Sequence, residues 1–258
     1  MSETPTAKVD TAGSESPGPV IEVNNLRKGF GPEDVLVDFS MKLNNGENLV
    51  VLGKSGSGKS VLIKCIVRLL DPDEGTIRVL GEDVSSLDRI GLTELRKKIG
   101  FLFQSGALYD SMTVRQNLEF PLRRIKKDLS RQEIDEKVAE VLENVGLPDT
   151  LDKMPSQLSG GMRKRISLAR TLMVDPLIML YDEPTTGLDP VTSDEISTLI
   201  KEVQEKYKTS SVIITHDIEC ARTTADRIIM LLDGKVYKEG NLAEFENSTD
   251  TTIKSFFK

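Results

Sequence analysis

The chain has 258 residues but one histidine and two cysteines. A single imidazole excludes a multi-histidine metal centre, and two cysteines cannot make a disulfide framework. Cys65 falls in an apolar stretch and reads as a small core residue, and Cys220 has no metal-ligand spacing around it. No apolar run approaches the roughly 18 residues that a membrane-spanning helix needs. The longest, residues 177–181 and 228–232, are strand-sized. The N-terminus lacks an apolar stretch of signal-peptide type. Basic residues are not in excess: 34 Lys and Arg face 41 Asp and Glu, for a net charge of −7. That balance argues against a general nucleic-acid binder. These absences predict a soluble protein of a reducing compartment, without a nucleic-acid partner.

What is present centres on residues 53–60: Gly53, Lys54, Ser55, Gly56, Ser57, Gly58, Lys59 and Ser60. A Gly, four free positions and then Gly-Lys-Ser is the spacing of a phosphate-binding loop. The apolar residues 48–52 lead in as a buried strand, and 61–70, starting at Val61, follow as a buried helix with Ser60, Lys64 and Arg68 as a polar strip. Glycines let backbone N–H groups wrap an anion. The helix start adds unpaired donors and a positive dipole end. Lys59 then supplies a charge for the outer phosphates, and Ser60 a hydroxyl for Mg²⁺.

The length suits one large domain or two closely joined subdomains. Residues 1–19, rich in Ser, Thr, Pro and Gly, read as a disordered tail. Strands are expected at 20–23, 35–43, 75–81 and 101–103, with a turn at Asn44-Asn45-Gly46. From about 105 to 172 the pattern turns helical. Ser130 and Glu133 form a capping-box pair, and Ile134, Val138, Val141, Leu142 and Val145 recur on one face. Strands and helices then alternate: strands at 177–181 and 211–215, and between them a helix capped by Asp189-Pro190 with Ile196, Leu199, Ile200 and Val203 as its stripe. A hairpin is expected across Asp233-Gly234. The alternation implies an α/β fold around a mostly parallel sheet, interrupted by a helical insertion.

Asp182 and Glu183 close the strand at 177–181. Adjacent carboxylates at a strand end point different ways, which allows two tasks. Asp182 suits the Mg²⁺ shell, as the acidic residue of a Walker B strand does. Glu183 then suits a general base on water. Ser159 reads as an N-cap, and Gly160 and Gly161 bare the start of a long helix, a second anion-seeking end. Met162, Ile166, Ala169 and Met173 form its apolar stripe, with Arg163, Lys164, Arg165 and Arg170 placed elsewhere.

The phosphate loop, Gln104, residues 158–162, Asp182-Glu183, Gly187-Leu188-Asp189 and His216 occur in the order and spacing of an ABC-transporter ATPase. The resemblance covers nearly all of the chain after residue 20. It implies one ATPase domain over 20–258: a P-loop core with a mostly parallel sheet, an antiparallel β subdomain and a helical subdomain at about 105–172. It further implies ATP and Mg²⁺ as cofactors, and a head-to-tail dimer in which ATP lies between one copy's phosphate loop and the other's Ser159, Gly160 and Gly161. By the same resemblance Phe30 stacks on adenine, Gln104 touches Mg²⁺ and the attacking water, His216 contacts the terminal phosphate, and Asp189 communicates across the dimer.

Residues 103–114 look like the ATPase of the Mla and related MCE lipid transporters, as does Met162 where most relatives have Gln. This implies an integral membrane permease as partner, with an MCE-domain protein beside it, phospholipid as cargo, and a peripheral place on the cytoplasmic face of the cell membrane. Leu108, Tyr109 and Met112 are then expected near the surface where the permease docks. Two alternatives stand beside this reading: an ABC ATPase importing another small solute, and a permease-free ABC ATPase.

Overall fold

A computed structural model describes residues 18–126 and 128–257. Of the expected N-terminal tail, residues 1–17 lie outside the described residues. The chain opens with two long strands, β1 (Ile21–Phe30) and β2 (Glu33–Leu43), followed by β3 (Asn48–Leu52) and α1 (Lys59–Ile66). Next come β4 (Glu74–Val79), β5 (Glu82–Asp83), α2 (Arg89–Lys97) and β6 (Ile99–Leu102). Three helices follow, α3 (Val114–Ile125), α4 (Arg131–Asn144) and α5 (Gly160–Leu172). Alternation resumes with β7 (Ile178–Asp182), α6 (Pro190–Tyr207), β8 (Ser210–Thr215), α7 (Ile218–Thr224) and β9 (Arg227–Leu232). The chain closes with β10 (Lys235–Gly240), α8 (Leu242–Glu246) and α9 (Thr251–Phe256).

The strands form two sheets. One is antiparallel, in the order β2-β1-β4-β5; the other runs β10-β9-β3-β8-β7-β6. In the second, β9, β3, β8, β7 and β6 are parallel and β10 is an antiparallel edge. Every residue of β3, β7 and β8 is buried, which is why these strands read as continuous apolar runs. The pleat sends alternate side chains into two separate cores. Val50, Leu52, Met179, Tyr181 and Ile213 join the core built by α3 to α7. Leu49, Val51, Ile178, Leu180, Val212 and Ile214 join the one shared with α1 and the antiparallel sheet.

The turn between β9 and β10 has Asp233 at φ +49° and Gly234 at φ +75°, the hairpin geometry that Asp-Gly favours. Gly234 O also accepts from Val37 N at 2.8 Å, tying this edge to β2. α4 has the expected capping box and buries Ile134, Val138, Val141 and Leu142, with Val145 buried at its C-cap. Some expectations differ. β1 extends to Phe30 through a bulge at Asn25 (φ +50°), where the alternation breaks before Leu26 is buried again. α1 ends at Ile66, where the chain leaves helical geometry and Arg68 turns to φ +52°. α2, α7, α8 and α9 were not expected: each is short, and α2, α8 and α9 each bury a single residue, so no stripe marks them. No described helix is long and apolar enough to cross a membrane.

Candidate functional site

The parallel strands β3, β6, β7 and β8 end on one edge of the sheet, and the residues just past those ends converge there. In an open parallel sheet this is where ligands bind. A cleft of about 340 Å³ is lined by Ser55, Gly56, Gly58, Lys59, Ser60 and Val61 after β3, Gln104 after β6, Glu183 after β7 and His216 after β8. Val35 of β2 and Thr186 complete the lining.

The loop after β3 needs its glycines. Gly58 caps α1 at φ +99°, and a Cβ there would sit 2.8 Å from Val35 O. A Cβ on Gly53 would lie 2.7 Å from Ser57 Oγ and 2.8 Å from Leu231 O. The loop curls around Lys59, whose buried ammonium donates to Gly53 O at 2.7 Å and Lys54 O at 3.0 Å. Ser57 Oγ is buried without a hydrogen-bond partner, an unmet polar group inside the loop.

The two carboxylates face different partners. Asp182 accepts from Ser60 Oγ at 2.9 Å. Burial raises its pKa, and the Ser60 hydroxyl opposes the rise. Glu183 adopts φ +49°, uncommon away from glycine. Its N–H donates to Ile214 O at 3.0 Å, which fixes this turn against β8. Its Oε1 lies 3.1 Å from Lys59 Nζ, and its Oε2 2.8 Å from His216 Nδ1. Thr186 Oγ1 donates to the same Oε2 at 3.2 Å.

Gln104 has an exposed side chain, and its carbonyl accepts from Lys164 Nζ at 2.5 Å. Lys164 is thus not among the exposed cations of α5: it is buried against the site. Its sequence context, Arg163-Lys164-Arg165, gives no signal of this. Val35 and Thr186 were likewise unmarked in the sequence.

Other expected residues lie away from the cleft. Asp182 stands behind Ser60. Lys54 and Ser57 line a neighbouring groove with Asp233 and Gly234, and Gly53 turns inward beneath the loop. Phe30 ends β1, 49% exposed, with Lys28 Nζ 5.6 Å from its ring centre. Ser159 caps α5 by accepting from Met162 N at 3.2 Å. Gly160 and Gly161 pack towards Leu188 and Thr192, and a Cβ on Gly161 would meet Thr192 Cγ2 at 2.5 Å. Asp189 caps α6, accepting from Thr192 N at 3.1 Å.

A glycine-rich loop between a central parallel strand and a helix, facing a serine–aspartate pair, defines a P-loop nucleotide-binding protein. The sequence profile described as "ABC transporter" matches residues 36–186. This chain belongs to the ABC transporter family and is an ABC ATPase domain. It is 38% identical over 222 residues to the methionine import ATP-binding protein MetN of Brucella abortus, covering 86% of this chain and 60% of that protein. It is 40% identical over 239 residues to the probable ribonucleotide transport ATP-binding protein mkl of Mycobacterium tuberculosis, covering 93% and 66%. The chain therefore spans less than two thirds of these relatives' length. Among solved structures, the dimeric cassette MJ0796 bound to ADP and Pi superposes with a TM-score of 0.78 at 34% identity, covering 86% of this chain and 98% of that one. The cbiO1 protein of Clostridium perfringens, part of the transporter complex cbiONQ, gives 0.83 at 29% identity, covering 93% and 96%.

Proposed function

We propose that this chain is the ATP-hydrolysing subunit of a transporter, acting as a head-to-tail pair of copies beneath a separate membrane permease. One observation carries the reading: the Glu183 carboxylate is held between Lys59 and His216 at the mouth of a phosphate loop.

The residues fit the nucleotide. Loop N–H groups, Lys59 and the unpartnered Ser57 hydroxyl offer donors to phosphate oxygens. Ser60 and Asp182 make an oxygen pair suited to a hard ion such as Mg²⁺. Ser60, Asp182 and Gln104 would hold such an ion, with phosphate and water as its remaining ligands. Bound Mg²⁺–ATP supplies the transferable phosphoryl group and neutralises its leaving oxygens. The protein supplies the base. Glu183 Oε2 is occupied by His216 and Thr186, whereas Oε1 meets Lys59. When Lys59 turns to phosphate, Oε1 is the oxygen left to take a proton from water. His216 holds the carboxylate's other oxygen and so fixes its orientation.

The start of α5 stands apart from its own copy's cleft, which suits Ser159, Gly160 and Gly161 to a second copy's ATP. Exposed Phe30 suits adenine stacking. The domain is read as 20–258, with α3 to α5 as its helical part. There Arg124 stacks on Phe120, Phe120 on Tyr109 and Tyr109 on Arg170, at 4.8, 5.0 and 5.8 Å. Tyr109 is 44% exposed, and this aromatic–cation ladder suits a permease contact. The cargo is read as phospholipid and the further partner as an MCE-domain protein, at the cytoplasmic face of the membrane, from residues 103–114 and Met162. Import of a small solute is the second reading, because a methionine-import protein is 38% identical.

A tagged chain purified from detergent-solubilised membranes tests this. It should bring down a polytopic membrane protein together with an MCE-domain protein. A polytopic partner with a solute-binding protein favours the second reading, and ribosomes or DNA with no membrane protein overturn both.

A further inference from the structure

Lys164 is 6% exposed, one turn into α5, whereas its neighbour Arg163 is exposed and Arg165 half-buried. Burying an ammonium is unfavourable unless it is well paired. Lys164 Nζ donates to Gln104 O at 2.5 Å and reaches Glu183 O at 3.5 Å. Burial pushes its pKa down to about 8, while the carboxylates of Asp182 and Glu183 oppose the fall. The other cations of α5 have separate partners: Arg163 donates to Leu158 O, Arg165 to Val145 O and Arg170 to Ala107 O. Lys164 alone among them joins the chain after β6 to the chain after β7.

We propose that Lys164 is a positioning residue for ATP hydrolysis. Its ammonium holds the backbone at Gln104 against the backbone at Glu183, so that both side chains meet one water at a fixed separation. Because it extends from α5, it also ties that pair to the helix that begins at Ser159. The helix end offered to a second copy and the lysine that holds the base of this copy therefore lie on the same helix, at Ser159 and Lys164. Lys164 lines neither the phosphate loop nor the cleft. Its removal should change turnover and leave nucleotide affinity alone. This inference rests on the hydrolytic reading above.

The test compares wild type, Glu183→Gln, Lys164→Met, Lys164→Gln and Lys164→Arg, measuring phosphate release and, separately, Mg²⁺–ATP affinity by calorimetry. Lys164→Met should lower kcat by about tenfold to a hundredfold, the scale of a small misplacement of reacting groups. Its ATP affinity and KM should match wild type, and Lys164→Arg, which keeps the charge and donors, should recover most of the rate. A wild-type kcat in Lys164→Met, alongside an inactive Glu183→Gln, overturns the positioning role and leaves the base assignment standing. Loss of ATP binding or of a cooperative melt in both Lys164→Met and Lys164→Gln makes Lys164 a structural buttress and overturns it too. Absence of phosphate release by wild type overturns the hydrolytic reading and this one with it.

Discussion

Glu183 has two neighbours of different character. Lys59 is a buried charge that a phosphate can claim, and His216 directly follows a buried strand. Glu183→Gln removes the proton acceptor but keeps the shape of the side chain. We expect kcat to fall about 10²- to 10⁴-fold, the usual share of a general base. ATP affinity, read by calorimetry, should be retained, because Lys59 loses a competing carboxylate and nothing else. Unchanged turnover would remove Glu183 from the role of base. At this scale the sequence was informative where a motif fixes backbone geometry. The phosphate loop and the Asp182-Glu183 pair could be read because glycines and a strand end dictate where such side chains point. Lys164 could not. Its burial depends on the phase of α5 against Gln104, and a basic triplet in a helix ordinarily marks a solvated face.

Among the elements, one guanidinium clamps four strand ends. Arg227, the first residue of β9, donates to Glu47 Oε1 at 2.7 Å and Oε2 at 2.9 Å, just ahead of β3. It also bonds Glu239 of β10 and the Lys42 carbonyl of β2. Burial pushes the Glu47 carboxyl up, but the Arg227 fork and the Asn44 amide outweigh it and hold it below its ordinary 4.5. A carboxylate depressed by folding adds stability that is complete above its unfolded value and fades as pH falls through its folded one. Glu47→Gln should therefore cost about 1–3 kcal/mol at neutral pH, as for a partly buried charged hydrogen bond that is broken. In denaturant titrations the gap from wild type should close under strongly acidic conditions. A pH-independent gap would mean that packing, not charge, is lost. Elements with a repeating stripe, α4 and α6, were legible, as was the Asp233-Gly234 hairpin. The short helices α2, α8 and α9 were not, since one buried side chain makes no period.

For the whole molecule, the decisive question is whether two anion-seeking helix ends belong to one site. Lys59→Ala weakens the phosphate loop, and Ser159→Arg removes the cap of α5 and fills the helix start with a long side chain whose charge opposes the helix dipole. Each variant alone should bind ATP poorly. In a mixed dimer both lesions fall in one composite site and leave the other sound, so titrating one variant into the other should restore ATP binding at one of the two sites. Subunit exchange without any recovered binding would reduce Ser159 to a helix cap. The strand order has a consequence for how this protein is born. β3, which leads into the phosphate loop, pairs only with β8 and β9. Those strands leave the ribosome long after it, since they span residues 210–232. The first motif to be translated is thus among the last to gain a rigid support, and non-local pairing of this kind is slow. A nascent chain halted before β8 holds its phosphate loop on an unpaired strand and without His216. Nucleotide capture during synthesis would then mark the arrival of β8 and β9, making ATP a late ligand that seals a nearly finished fold.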